Sequence, residues 1–133
     1  MIGFAMCGSY CTHRMALEQL RLLAEKGFSI QPVLSENVYA TDTRFGSASH
    51  LINQVEGICG RSVIHSVVDA EPLGPAVPLD ALIICPCTGN TLAKMAAGIT
   101  DSSVTMAAKA HLRGDRPLVI ALASNDALSA KIG

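Results

Sequence analysis

The stretch Asp80-Ala81-Leu82-Ile83-Ile84-Cys85-Pro86-Cys87-Thr88-Gly89-Asn90-Thr91 decides the fold. Ala81 to Cys85 is a continuous apolar run, stopped by Pro86 and followed by small polar residues. Leu92, Met95, Ala96 and Ile99 then recur at i, i+3, i+4 and i+7, the spacing of one helix face. A buried parallel strand, a short loop and a helix start satisfy this pattern together. In an open α/β sheet, ligands bind outside the carboxyl ends of the strands. The Thr88–Thr91 loop therefore offers hydroxyls, an amide and free backbone N–H groups where a ligand belongs.

Composition bounds the rest. At 133 residues the chain is long enough for one domain with its own core. It is 50% apolar and 16% charged, with no Trp and only 4% aromatics. Its core must be assembled from Ala, Val, Leu, Ile and Met, which suits packed α/β layers. A formal charge of −1 gives no electrostatic case for nucleic acid or an anionic membrane. No apolar run approaches the roughly 20 residues that span a bilayer. Met1-Ile2-Gly3-Phe4-Ala5 lacks the basic n-region of a signal peptide and reads as a first strand, so a cytoplasmic protein is expected. The five cysteines, Cys7, Cys11, Cys59, Cys85 and Cys87, are odd in number and lack C-x-x-C spacing. They read as free, largely packed thiols, and no metal site is expected.

Outward from the opening stretch, the chain alternates strands and helices. Ile2–Cys7 reads as a strand turned by Gly8-Ser9, with Thr12 as N-cap of a helix carrying Ala16, Leu20, Leu23 and Ala24, and Gly27 behind its end. Ser29–Leu34 reads as a second strand ending at Ser35-Glu36-Asn37. Leu51, Ile52, Val55, Ile58 and Cys59 mark a second helix closed by Gly60. Val63–Val67 reads as a short strand and the proline-rich Glu71–Pro78 as an ordered loop. A helix from Asp101-Ser102 through Ala110 is broken by Gly114-Asp115-Arg116-Pro117. Leu118–Leu122 is a last strand ending in Ser124-Asn125-Asp126. This order implies right-handed βαβ units and a parallel sheet. Ala127–Gly133 closes no recognisable element, so residues 1–133 are read as one domain that lacks its C-terminal part.

Gly8-Ser9, Ser35 with Asn37, Thr88–Thr91 and Ser124-Asn125 all fall on the same rim of such a sheet, a natural seat for a phosphate-bearing cofactor. No G-x-G-x-x-G, Walker A or G-x-S-x-G pattern is present. His13 and His111 are expected on solvent-facing helix surfaces, His50 at a helix start and His65 in a strand-like stretch. Lys109 and Arg113 complement a helix C-terminus. Arg44, in Thr41-Asp42-Thr43-Arg44-Phe45-Gly46, is placed to reach over the rim toward a substrate carboxylate.

These residues resemble the flavoprotein family that includes the homo-oligomeric flavin-containing cysteine decarboxylases. Its hallmark Pro-Ala-Ser-Ala-Asn-Thr is matched by Pro86-Cys87-Thr88-Gly89-Asn90-Thr91, its Gly-Ser by Gly8-Ser9, and its Gly-x-x-Asp by Gly98-Ile99-Thr100-Asp101. Ala70–Pro75, Val77–Asp80, Val104–Ala110 and Ser124–Leu128 narrow the likeness to a subfamily whose members continue past the equivalent of Gly133. The resemblance implies a Rossmann-like three-layer α/β/α sandwich of flavodoxin-like topology that binds FMN through Gly8, Ser9, Ser35, Thr88, Gly89, Asn90 and Thr91. It implies a sporulation oxidoreductase working with an A subunit, converting a dihydropyridine dicarboxylate of the lysine pathway to pyridine-2,6-dicarboxylate. It also implies assembly as trimers or their multiples. Flavin-dependent decarboxylation, or flavin binding without chemistry, are the alternatives. Cys87 and Gly89 stand where the decarboxylase motif has alanine, and His65 lies near its catalytic histidine but in a different sequence context. No catalytic residue is assigned.

Overall fold

The computed structural model describes residues 1–123. The Ser124-Asn125-Asp126 strand end and the Ala127–Gly133 stretch lie outside the described residues. Strands β1 (Ile2–Met6), β2 (Ile30–Leu34), β3 (Leu82–Cys87) and β4 (Leu118–Leu122) form one parallel sheet in the order β2-β1-β3-β4. The helices are α1 (His13–Glu25), α2 (Glu36–Ala40), α3 (Ala48–Cys59), α4 (Val67–Ala70), α5 (Gly89–Ala96) and α6 (Ser103–Leu112). The α/β class and the parallel sheet are those expected from the sequence.

Strand periodicity divides the core in two. On β1, Ile2, Phe4 and Met6 point to one face, packing with Leu17 and Leu20 of α1 and Val55 of α3. Ala5 and Cys7 point to the other, packing with Leu82, Ile84 and the small Val104, Ala107 and Ala108 of α6. Alanines on α6 let that helix lie close to the sheet, and Gly3 does the same for β1. A Cβ on Gly3 would sit 2.7 Å from side-chain carbons of Leu79 and Leu82. Among the described residues, strand β4 ends the sheet on one side, with Val119, Ile120 and Leu122 partly exposed. Among the described residues, no helix is long and apolar enough to cross a membrane.

Several local expectations are corrected. Val63–Val67 is not a strand. Ile64 makes a single bridge to Val33, and the chain then turns into α4, whose N-cap Ser66 accepts from Asp69 N–H. The second strand is followed at once by α2, because Ser35 accepts from Val38 N–H and caps it. Thr12 does not cap α1 with its side chain. A 3-10 turn, Tyr10–Thr12, precedes the helix, and Thr12 Oγ1 donates back to Ser9 O at 2.7 Å. Ile99 falls past the end of α5, whereas α6 runs two residues beyond Ala110, to Leu112.

His13 and His111 are buried, not solvent-facing. His13 Nε2 lies 2.7 Å from Cys7 O, and His111 Nε2 lies 2.7 Å from Pro117 O. His13 precedes Ala16, Leu17 and Leu20 by three, four and seven residues, so it shares the apolar stripe of α1. His111 shares the stripe of Val104, Ala107 and Ala108 in the same way.

Candidate functional site

Consecutive helices on opposite faces open a crevice at the carboxyl edge of the sheet. The chain leaves β1 for α1 on one face and leaves β3 for α5, whose Met95 packs on the other. Because β1 and β3 are neighbours, the two exits part at the topological switch point, where α/β proteins hold ligands. A cleft of about 390 Å³ lies there. Gly8 lines it from the β1 exit and Ser35, Glu36 and Asn37 from the β2 exit. Thr88, Asn90 and Thr91 line it from the β3 exit, with Lys94, Asp101 and Ser102 below. Of the residues singled out from sequence, Gly8, Ser35, Thr88, Asn90 and Thr91 meet in one place. Ser9 and Gly89 adjoin it in the chain without lining it, and Ser124-Asn125 falls outside the described residues. Arg44 is exposed in the loop after α2, its guanidinium 5.0 Å from the centroid of the Phe45 ring, and does not line the cleft.

The hydroxyls divide into occupied and available. Thr88 Oγ1 accepts from Thr91 N–H at 3.1 Å and donates to Thr91 Oγ1 at 2.9 Å, so it caps α5. Thr91 Oγ1 in turn points at Cys7 Sγ, 3.4 Å away. Ser35 Oγ accepts from Val38 N–H at 3.3 Å and makes no other hydrogen bond among the described residues, so its proton is available. The Asn90 side chain is likewise exposed and unpartnered among those residues. The first N–H groups of α5, from Gly89 and Asn90, have no intrahelical acceptor.

Glu36, which no sequence motif marks, governs the electrostatics. Its carboxylate accepts from Ser103 N–H at 2.9 and 3.1 Å and from Ser103 Oγ at 3.0 Å. This fills the positive end of α6 with a protein carboxylate. Lys94 is held by Asp101, with contacts of 3.0 and 3.2 Å. The N-terminus of α5 remains the cleft's open anion seat. A Glu at the first position of a short helix, beside a strand-ending serine, was the available signal.

Gly8 meets the strongest test of fit to a bound cofactor. Its φ is outside the left-handed region, and a Cβ there would meet only the Tyr10 ring, at an ordinary 3.5 Å. The fold does not need glycine at this position. A ligand approaching the backbone closely would.

Chemistry by the thiols at and beneath the cleft is disfavoured. Burial pushes the Cys87 thiol up to about 12, reinforced by Cys7 beside it, and burial raises Cys7 and Cys85 as well. These groups stay protonated and inert near neutral pH. The Cys85–Pro86 peptide is cis. Among the described residues, no cluster of three His, Cys, Asp or Glu is arranged to hold a metal.

His13 ties stability to pH. Burial holds its imidazole below the ordinary 6.5, and the bond to the Cys7 carbonyl offsets this only in part. As pH falls below about 6.5, the unfolded chain takes a proton that the folded chain refuses, so stability declines until the folded value is passed. Denaturant midpoints measured from about pH 8 to about pH 5 are expected to fall. In His13→Asn that part of the slope is expected to be lost.

The fold and the cleft define a class. The Flavoprotein family model matches residues 1–131, and the chain belongs to that family. Among known proteins, it is 45% identical over 127 residues to the B subunit of dipicolinate synthase from Bacillus subtilis (strain 168), covering 96% of this chain and 64% of that one. The crystal structure of the corresponding B subunit from Bacillus halodurans superposes with a TM-score of 0.84 at 43% identity, covering 96% of this chain and 66% of that one. The FMN-dependent cysteine decarboxylase SpaF superposes at 0.72 with 25% identity, covering 98% and 72%. The chain thus spans just under two thirds of the length of its dipicolinate synthase relatives.

Proposed function

We propose that the chain is the FMN-binding subunit of a dipicolinate synthase, acting with an A subunit to oxidise dihydrodipicolinate to dipicolinate. The observation that carries this is Gly8, a glycine the fold does not require, facing the open N-terminus of α5 across a cleft at the switch point. The similarity to the B subunit of dipicolinate synthase supports the substrate.

FMN fits the donor set. The α5 N–H groups and the Ser35 hydroxyl would hold its phosphate, Gly8 would let it lie against the β1 exit, and the Asn90 amide would orient it. Glu36 keeps the α6 terminus closed, so the phosphate has one seat. Bound FMN supplies a two-electron acceptor for a reduced heterocycle. The protein's part is to position both and exclude water.

The five cysteines are all free, which accords with a reducing cytoplasm. Assembly into homo-oligomers, trimers or their multiples, belongs to the same proposal.

The test mixes the FMN-loaded protein, its A subunit and dihydrodipicolinate without oxygen. Flavin absorption is expected to bleach as pyridine-2,6-dicarboxylate appears. If the A subunit alone forms product at full rate with a nicotinamide cofactor, the oxidative role is wrong. Carbon dioxide release from a cysteine-type substrate would instead favour the decarboxylases.

A further inference from the structure

A second and larger cavity, about 570 Å³, opens between α1 and α3 beneath the Thr41–Ser47 loop. Its volume lies in the range of roughly 300–1,000 Å³ common to small-molecule sites. Leu17, Val38 and Leu51 give it an apolar floor. Arg14 and Arg21 stand along its α1 wall, both exposed, and neither forms an ion pair among the described residues. Glu18, between them on the helix, is also unpaired there, so the wall keeps a net positive charge. Two guanidiniums on one helix face, over an apolar floor, suit a flat or short molecule with an anionic group at each end. The guanidinium fork matches a carboxylate in two-point contact.

The cavity adjoins the flavin cleft. His13 lines the cavity, and its Nε2 is bonded to Cys7 O, while Cys7 lines the cleft. The His13–Cys7 hydrogen bond thus links a residue of the cavity to a residue of the cleft.

We propose that this cavity seats a small dicarboxylate, with one carboxylate on Arg14 and the other on Arg21. Naming that dicarboxylate as the enzyme's substrate or product rests on the dipicolinate synthase reading. The cavity and its guanidiniums do not. Arg44, lying against Phe45, has no part in it.

The experiment titrates the flavin-free protein with pyridine-2,6-dicarboxylate, pyridine-2-carboxylate and inorganic phosphate, following arginine Nε–H and backbone amide signals by NMR. The dicarboxylate is expected to shift the Arg14 and Arg21 signals and to bind at least about tenfold tighter than the monocarboxylate, since each lost ion pair is worth roughly 1.4 kcal/mol or more. Arg14→Gln and Arg21→Gln should each reduce the dicarboxylate to the affinity of the monocarboxylate. Arg113→Gln, outside the cavity, should leave binding unchanged. Equal affinity for mono- and dicarboxylate, equal displacement by phosphate, or wild-type affinity in both arginine variants overturns the proposal. Because FMN is absent, failure here is separable from failure of the flavin reading. Dicarboxylate binding by a protein that rejects FMN would keep the cavity and remove the flavin. FMN binding without dicarboxylate binding would do the reverse.

Discussion

Alanine in place of Gly8 is expected to give a protein that folds at least as well as the wild type and binds FMN poorly. Both halves come from one geometric fact. The added Cβ finds only the Tyr10 ring nearby, at van der Waals distance. With φ outside the left-handed region, the substitution narrows the unfolded ensemble and adds up to about 0.4–1 kcal/mol of stability. In the complex, the same methyl occupies space that the cofactor needs. Overpacking of that kind costs about 1–3 kcal/mol, which is roughly five- to 150-fold in Kd. Thermal unfolding without FMN, paired with an FMN titration, separates the two halves. A Gly8→Ala protein that binds FMN normally would show that Gly8 does not touch it. One that fails to fold would show that the glycine is structural.

The opposite behaviour is expected of Gly74. It lies in the proline-rich loop between α4 and β3, with φ at 131°, and its Cβ would be driven into the backbone carbonyl of Ala110 on α6. The side chain cannot escape by rotating, because the obstacle is main chain. Strain at such a φ costs about 1–3 kcal/mol, and displacing a packed helix adds about 1–3 more. Gly74→Ala should therefore lower stability by about 3 kcal/mol or more, a large share of the roughly 5–15 kcal/mol that holds a domain together. Gly60 is the control. It has φ 65° at the end of α3, with nothing within 4 Å of its Cβ. Alanine there should cost only about 1–2 kcal/mol. Urea midpoints for the two variants test the contrast. Equal losses would mean that the contact with α6 is unimportant and that backbone strain alone matters.

Parts of this architecture were legible because the relevant forces are local. The Ala81–Cys85 run read as a buried strand, which in the structure continues through Pro86 to Cys87, and the Leu92, Met95 and Ala96 spacing announced the helix behind it. Ser102 likewise announced α6, where it forms a capping box with Thr105. The convergence of Gly8, Ser35 and Thr88–Thr91 followed from parallel topology, since every strand then presents its carboxyl end to one rim.

What was missed depended on contacts distant in sequence. His13 and His111 lie on apolar stripes, and burial was available from their spacing to Leu17, Leu20, Val104 and Ala108. Each bonds a main-chain carbonyl through Nε2, which residue polarity alone does not reveal, although His111 Nδ1 is left without a partner among the described residues. The capping of α6 by Glu36 joins residues 67 apart. Arg44 was read from loop position as reaching over the rim, but the aromatic neighbour at Phe45 offered its cation a nearer partner. The cavity between α1 and α3 left no periodic signature at all, because it arises from how two helices diverge on the sheet.

Everything turns on whether the cleft at the β1–β3 switch point holds FMN by the open N-terminus of α5 and the bare backbone at Gly8. The most direct test is a titration of FMN fluorescence with the purified protein, wild type beside Gly8→Ala. Saturable quenching is expected from the wild type, at micromolar affinity or tighter (about −8 kcal/mol). In the variant the midpoint should shift at least about fivefold. FMN fluorescence unchanged by the wild-type protein, or quenched identically by both, would contradict this.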